Sequence, residues 1–242
     1  MPFIVAGSPS IEATEATIIA LDAAGADIIE IGIPFSDPIA DGPVIAAAMH
    51  RALESGVTPS HSMGAVSNVR NQVQAGLIAM VSHSIVRKSG GTGFINLLAE
   101  AGFDGVIVPD IDTQEAVSIS AYCATIDFSF SMLIAPTTPL ARIETLASLS
   151  SGFLYVLART GLTGEQSDTP DVSARIEEIR SVTSLPLAVG FGISTAEHVA
   201  AVHQSADAAI VGSALVRRME VSEDPATAAG NFVKEITTKD LD

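Results

Sequence analysis

A closed (β/α)₈ barrel is the fold class this sequence predicts, and three observations predict it. The chain has 242 residues, near the roughly 250 typical of that fold. Eight short runs rich in Val, Ile and Leu recur along it, alternating with longer helical stretches. Most of these runs are apolar almost without interruption, as strands covered on both faces must be. One domain spanning 1–242 is expected, because no linker, low-complexity tract or composition shift divides the chain.

Taken in order, the strands are expected at 3–6, 27–32, 77–81, 105–109, 130–135, 153–157, 185–189 and 208–211. The helices are expected at 11–24, 43–54, 59–74, 93–101, 113–124, 140–149, 172–182 and 196–203. Ser10 stands where the first helix needs an N-cap, and Pro59 and Pro139 suit first-turn positions. Gly25, Gly56 and Gly102 stand where helices close. Gly212-Ser213 follows the last strand and opens a further short helix. The motif Ala23-Ala24-Gly25-Ala26-Asp27 is echoed by Glu100-Ala101-Gly102-Phe103-Asp104, each leading from helix into strand.

Hydrophobic residues make up 48% of the chain and charged residues 17%, with a mean hydropathy of +0.42. Even so, no apolar run reaches the ~18–20 residues needed to cross a bilayer. The N-terminus lacks the basic segment and cleavage site of a secretory signal, so a cytoplasmic location is expected. Acidic residues outnumber basic ones 28 to 12, for a net charge of −16, which repels nucleic acid and anionic lipid. Arg87-Lys88 and Arg217-Arg218 read as solvated doublets rather than a binding patch. The lone Cys123 excludes an internal disulfide and reads as a small core residue. His50, His61, His83, His198 and His203 show no metal-ligand spacing, so no metal is expected. His198 and His203 fall on an outer helix where exposure is expected, whereas His83 follows the third strand at the barrel mouth.

In this fold the active site forms at the C-terminal ends of the strands, which directs attention to the segment from Glu30 to Pro43. Glu30 is a carboxylate inside an apolar strand. Burial there disfavours its charged form, so it is either a functional group with a raised pKa or half of a buried ion pair. Asp41 precedes Gly42-Pro43 and on spacing alone reads as an N-cap; Asp37, before Pro38, reads as a turn residue. Three glycine-bearing loops follow later strands: Ala158 to Gly164, Gly190 to Ser194, and Gly212-Ser213. Loops after the seventh and eighth strands, with a short helix N-terminus, form the recurrent phosphate cradle of such barrels. That cradle works through backbone N–H dipoles, so a shortage of Lys and Arg does not argue against it.

These segments resemble the tryptophan synthase alpha chain. The likeness rests first on Glu30 to Pro43, then on Ala101 to Asp110, Leu133 to Thr137, Tyr155 to Gly164 and Gly190 to Ser194, in order along nearly the whole chain. The resemblance implies a cofactor-free lyase that splits indole-3-glycerol phosphate into indole and glyceraldehyde 3-phosphate. It implies that Glu30 is the acid/base and that Asp41 accepts the indole N–H. Gly164, Gly192, Gly212 and Ser213 would grip the phosphate. Tyr155 would border Glu30, Phe3 and Phe191 would wall the indole pocket, and Thr163 would lie in a closing loop. Each of the three aromatics also fits a plain core position. Pro34 and Asp37 match positions near the contact with a beta chain, in an alpha2beta2-type complex whose pyridoxal phosphate belongs to that partner.

The sequence also departs from the family's pattern. The resemblance implies an extra N-terminal helix of about twenty residues over the barrel floor, absent here, which would leave apolar surface exposed. Ser8 replaces a usual aspartate, Val81 and His83 stand where an aromatic and an asparagine are usual, and a usual glutamine is missing near Ala46. Two other readings follow: a silent alpha-like subunit that binds and activates a beta chain, or another phosphosugar enzyme on the same barrel.

Overall fold

The computed structural model describes residues 1–38, 41–158, 172–190 and 192–237. Its strands are β1 (Phe3–Val5), β2 (Ile28–Gly32), β3 (Gly76–Met80), β4 (Gly105–Ile107), β5 (Ser129–Ser131), β6 (Leu133–Ile134), β7 (Leu154–Leu157), β8 (Leu187–Gly190) and β9 (Ala208–Ala209). Neighbouring strands pair in parallel in the order β1-β2-β3-β4-β5 and β6-β7-β8-β9. Two contacts close the ring. At the first gap the chain itself runs on through Met132, whose carbonyl accepts from Tyr155 N–H of β7, and at the second Phe3 N–H donates to the Val211 carbonyl. The expected fifth strand, 130–135, is thus split at Met132 into β5 and β6, and with that one division the eight strand positions form the cylinder.

Around it lie α1 (Ile11–Ala23), α2 (Pro43–Glu54), α3 (Pro59–Val69), α4 (His83–Lys88), α5 (Thr92–Ala101), α6 (Thr113–Thr125), α7 (Leu140–Leu149), α8 (Ser173–Arg180), α9 (Ala196–Val202), α10 (Ser213–Glu220) and α11 (Pro225–Thr237). Several start where a side chain can take up orphan N–H groups. Ser10 accepts from Ala13 N–H at 3.1 Å, and Asp112 accepts from Gln114 and Glu115 N–H at 2.8 and 3.0 Å. Pro139 is the N-cap of α7 rather than a residue of its first turn.

The main core lies between strands and helices, where Ile29, Ile31, Leu77, Phe94 and Phe130 are buried. A second cluster fills the cylinder itself: Ile78, Ile107, Phe153, Tyr155, Ala188 and Ile210. Because strand side chains alternate faces, Ile29 and Ile31 in the outer core turn Glu30 inward.

The floor, at the N-terminal ends of the strands, carries two matching clamps. Asp104 accepts from Leu77 N–H at 2.7 Å and from Arg70 at 3.1 Å. Asp207 accepts from Leu187 N–H at 2.8 Å and from Arg180 at 2.8 Å. The echoed motifs do each lead from a helix into a strand, with Gly25 and Gly102 both at positive φ, while the side-chain clamp of Asp104 is matched by Asp207. Between the clamps a cavity of about 590 Å³ opens on the floor, lined in part by Ile28, Phe153, Leu187 and Phe232.

Candidate active site

Everything at the mouth is measured from Glu30. It sits in register between Phe3 of β1 and Ile78 of β3 and is 0% exposed. Neither of its carboxylate oxygens has a hydrogen-bond or ion-pair partner among the described residues. Burial pushes its pKa up to about 8, against a weaker pull from the N-terminal ammonium. At neutral pH this carboxyl is mainly protonated, a proton donor held inside the barrel.

Asp41 lies beyond the C-terminal end of β2 and is half-buried. It is not the N-cap of α2: that position is Gly42, without a side-chain cap bond. Freed of that duty, the Asp41 carboxyl is pushed up to about 6 by burial. Tyr155 is buried on β7, near both acids. Its phenol is held well above the ordinary range, first by burial, then by the nearby charges of Glu30 and Asp41. It fits because Gly190 on β8 has no side chain; a Cβ there would lie 2.5 Å from the Tyr155 hydroxyl.

The buried Phe3 ring bridges the acid strand and the Gly212 loop. A Cβ on Gly32 of β2 would sit 2.7 Å from it, and one on Gly212 would sit 3.5 Å from it. Gly212 therefore lies one ring's width from the strand end that carries Glu30, on the same rim. Gly212 is the N-cap of α10 and Ser213 its buried first residue, with no cap side chain over the first-turn N–H groups. Gly192 follows β8 with φ +81, a left-handed conformation that favours glycine. Since β8 pairs with β9, these two loops are neighbours.

Among the other expected residues, Pro34 is buried and Asp37 exposed just after β2, with Asp37 accepting from the Ser36 hydroxyl at 2.7 Å. Thr163, Gly164 and Phe191 lie outside the described residues. Among the described residues no group of three His, Cys, Asp or Glu could hold a metal ion, and no helix is long and apolar enough to cross a membrane.

Sequence reasoning passed over the apolar wall beside Tyr155, made by Met80, Ile107, Leu133 and Ile210. Only their place at strand ends, on the inward phase of the alternation, could have marked them. It also misplaced His198. That residue is 4% exposed, not solvated, and its Nδ1 accepts from Ser194 N–H at 3.4 Å.

The sequence profile described as "Tryptophan synthase alpha chain" matches residues 1–240. The chain belongs to that family. It is 40% identical to the tryptophan synthase alpha chain of Rippkaea orientalis, over 98% of this chain and 90% of that one. It is 41% identical to that of Chloroflexus aurantiacus, with the same coverage. A mutant tryptophan synthase alpha-subunit from the hyperthermophile Pyrococcus furiosus superposes with a TM-score of 0.89 at 29% identity, over 97% of this chain and 96% of that one. A tryptophan synthase structure from M. tuberculosis gives 0.86, also at 29%, over 97% and 90%. The family's alpha chain is a lyase of tryptophan biosynthesis that cleaves indole-3-glycerol phosphate. It needs no cofactor, the pyridoxal phosphate belonging to the beta chain with which the family pairs.

Proposed function

We propose that in this chain the cleavage of indole-3-glycerol phosphate is carried out by Glu30 and Asp41, with the phosphate held by Gly164, Gly192, Gly212 and Ser213. The observation that carries this is the fully buried Glu30, without a hydrogen-bond partner among the described residues, on the same rim as the Gly212 loop, with Phe3 between them.

Breaking the bond between indole C3 and the glycerol chain needs C3 to gain a proton and the adjacent hydroxyl to lose one. Glu30 manages these transfers, and a pKa near the working pH lets one group both give and take a proton. Asp41, ionised above about pH 6, accepts the indole N–H and stabilises the positive charge that ring protonation creates. Phe3, Phe191 and Tyr155 wall the indole, and Thr163 closes over the substrate. The phosphate grip supplies remote binding energy that positions the reacting end. Asp37 and Pro34 lie at the rim where a beta chain would receive the product in an alpha2beta2-type complex, in the cytoplasm.

Replacing Glu30 by Gln keeps shape while removing the transferable proton. Indole release from indole-3-glycerol phosphate should drop by roughly 10²–10⁴ in Glu30→Gln. Turnover equal to the wild type would remove Glu30 from the mechanism.

A further inference from the structure

We infer that His198 is a positioning residue for the phosphate-binding loop, fixing the Gly192–Ser194 backbone through its imidazole; this rests on the assignment of that loop to the phosphate. An anion held by backbone N–H groups is bound only as well as those groups are aimed. One end of the loop is anchored by β8. The other passes through the buried Ile193 to Ser194, whose N–H is the last before Thr195, the N-cap of α9.

His198 ties that end down. Its Nδ1 accepts from Ser194 N–H at 3.4 Å, while its own N–H donates to Thr195 Oγ1 at 3.3 Å. An imidazole accepting at Nδ1 carries its proton on Nε2. The arrangement differs from a capping box in that the N3 side chain, here His, accepts from the residue before the cap, one step further into the loop. The ring is buried, as are Val199 and Val202 on the same short helix.

The molecule contains its own control. Thr58 and His61 form a second Thr-x-x-His box at α3, where Thr58 N–H donates to His61 Nδ1 at 3.3 Å and His61 N–H to Thr58 Oγ1 at 3.4 Å. That ring is exposed and grips the cap residue itself. A plain helix-capping role for His198 predicts that the two sites behave alike on substitution. A positioning role predicts that they part.

Steady-state kinetics on the full chain with indole-3-glycerol phosphate separate these cases. His198→Ala should raise KM about fivefold, the worth of one hydrogen bond, with kcat within about twofold of wild type. His198→Gln, whose amide oxygen can accept the same N–H, should stay within about twofold in KM. His198→Phe, which keeps the ring's bulk without an acceptor, should resemble the Ala variant and serves if that variant folds poorly. His61→Ala should leave KM unchanged. Wild-type KM in both His198→Ala and His198→Phe overturns the inference, and so does a His198→Gln variant as impaired as His198→Ala.

If the wild type itself fails to release indole, the lyase assignment falls and a second measurement decides the loop. Inorganic phosphate should raise the Tm of wild type and His198→Gln, and raise that of His198→Ala less. Equal shifts, or none in the wild type, overturn the inference.

Discussion

At the scale of single residues, the candidate site turns on one buried carboxyl. Glu30 has no compensating hydrogen bond among the described residues, and its raised pKa is bought with stability. Folded, it holds its proton up to about pH 8; unfolded, it releases it near the ordinary value of 4.5. The folded state thus binds more protons in that window, so this group's contribution turns increasingly unfavourable as pH rises through it. The full cost, on the order of a few kcal/mol, is present above pH 8. Glu30→Gln should therefore raise Tm at pH 8.5 and have little effect at pH 4.5, which calorimetry across pH can follow. A Tm gain independent of pH would mean that the charge is not the cause. Glu30 was legible in the sequence because a carboxylate in an apolar strand is conspicuous. His198 was not, since a His on a helix carries no mark of whether its ring points to solvent or back over the preceding loop.

At the scale of elements, close approach explains what the sequence pattern hid. The segment Pro225–Thr237 contains Gly230, which reads as a helix breaker, and no helix was expected there. In the fold it is α11, and Gly230 faces α1: a Cβ would meet the Ala20 carbonyl oxygen at 3.1 Å. The glycine lets two backbones touch. Gly230→Leu should force the helices apart and cost about 1–3 kcal/mol, seen as a lower denaturation midpoint with little change in kcat. An unchanged midpoint would mean that α11 shifts without loss. The same distinction separates what was legible in the strands. Their apolar runs marked them, but the division at Met132 and the ends of β8 and β9 depend on hydrogen-bond geometry that composition does not encode. Asp41 is the converse case, a textual N-cap whose place the fold gives to Gly42.

For the molecule as a whole, the acidic excess is spread over a surface whose ion pairs are mostly exposed. Arg218–Glu235 and Arg180–Asp207 are examples, and such pairs stabilise little. Self-repulsion from a net charge of −16 should dominate, so raising NaCl from about 20 mM to about 0.5 M should raise Tm by screening it. A fall in Tm would show that local attractions outweigh the global repulsion. The barrel class and the succession of parallel strands were visible beforehand, because alternation of apolar runs and helices restricts the topology so severely. The paired floor clamps were not, since Asp104 and Asp207 find their arginines through folding rather than spacing.

Strand pairing falls into two leaves, β1 to β5 and β6 to β9, joined on one side by the chain itself at Met132 and on the other by bonds from Phe3 N–H to the Val211 carbonyl and from Val211 N–H to the Met1 carbonyl. The acid strand β2 lies inside the first leaf, while the loops after β8 and β9 belong to the second. A substrate held as proposed spans both, its indole end on one leaf and its phosphate on the other. The order of the strands around the ring, rather than any one strand, therefore brings the proposed proton donor and anion grip to a single substrate.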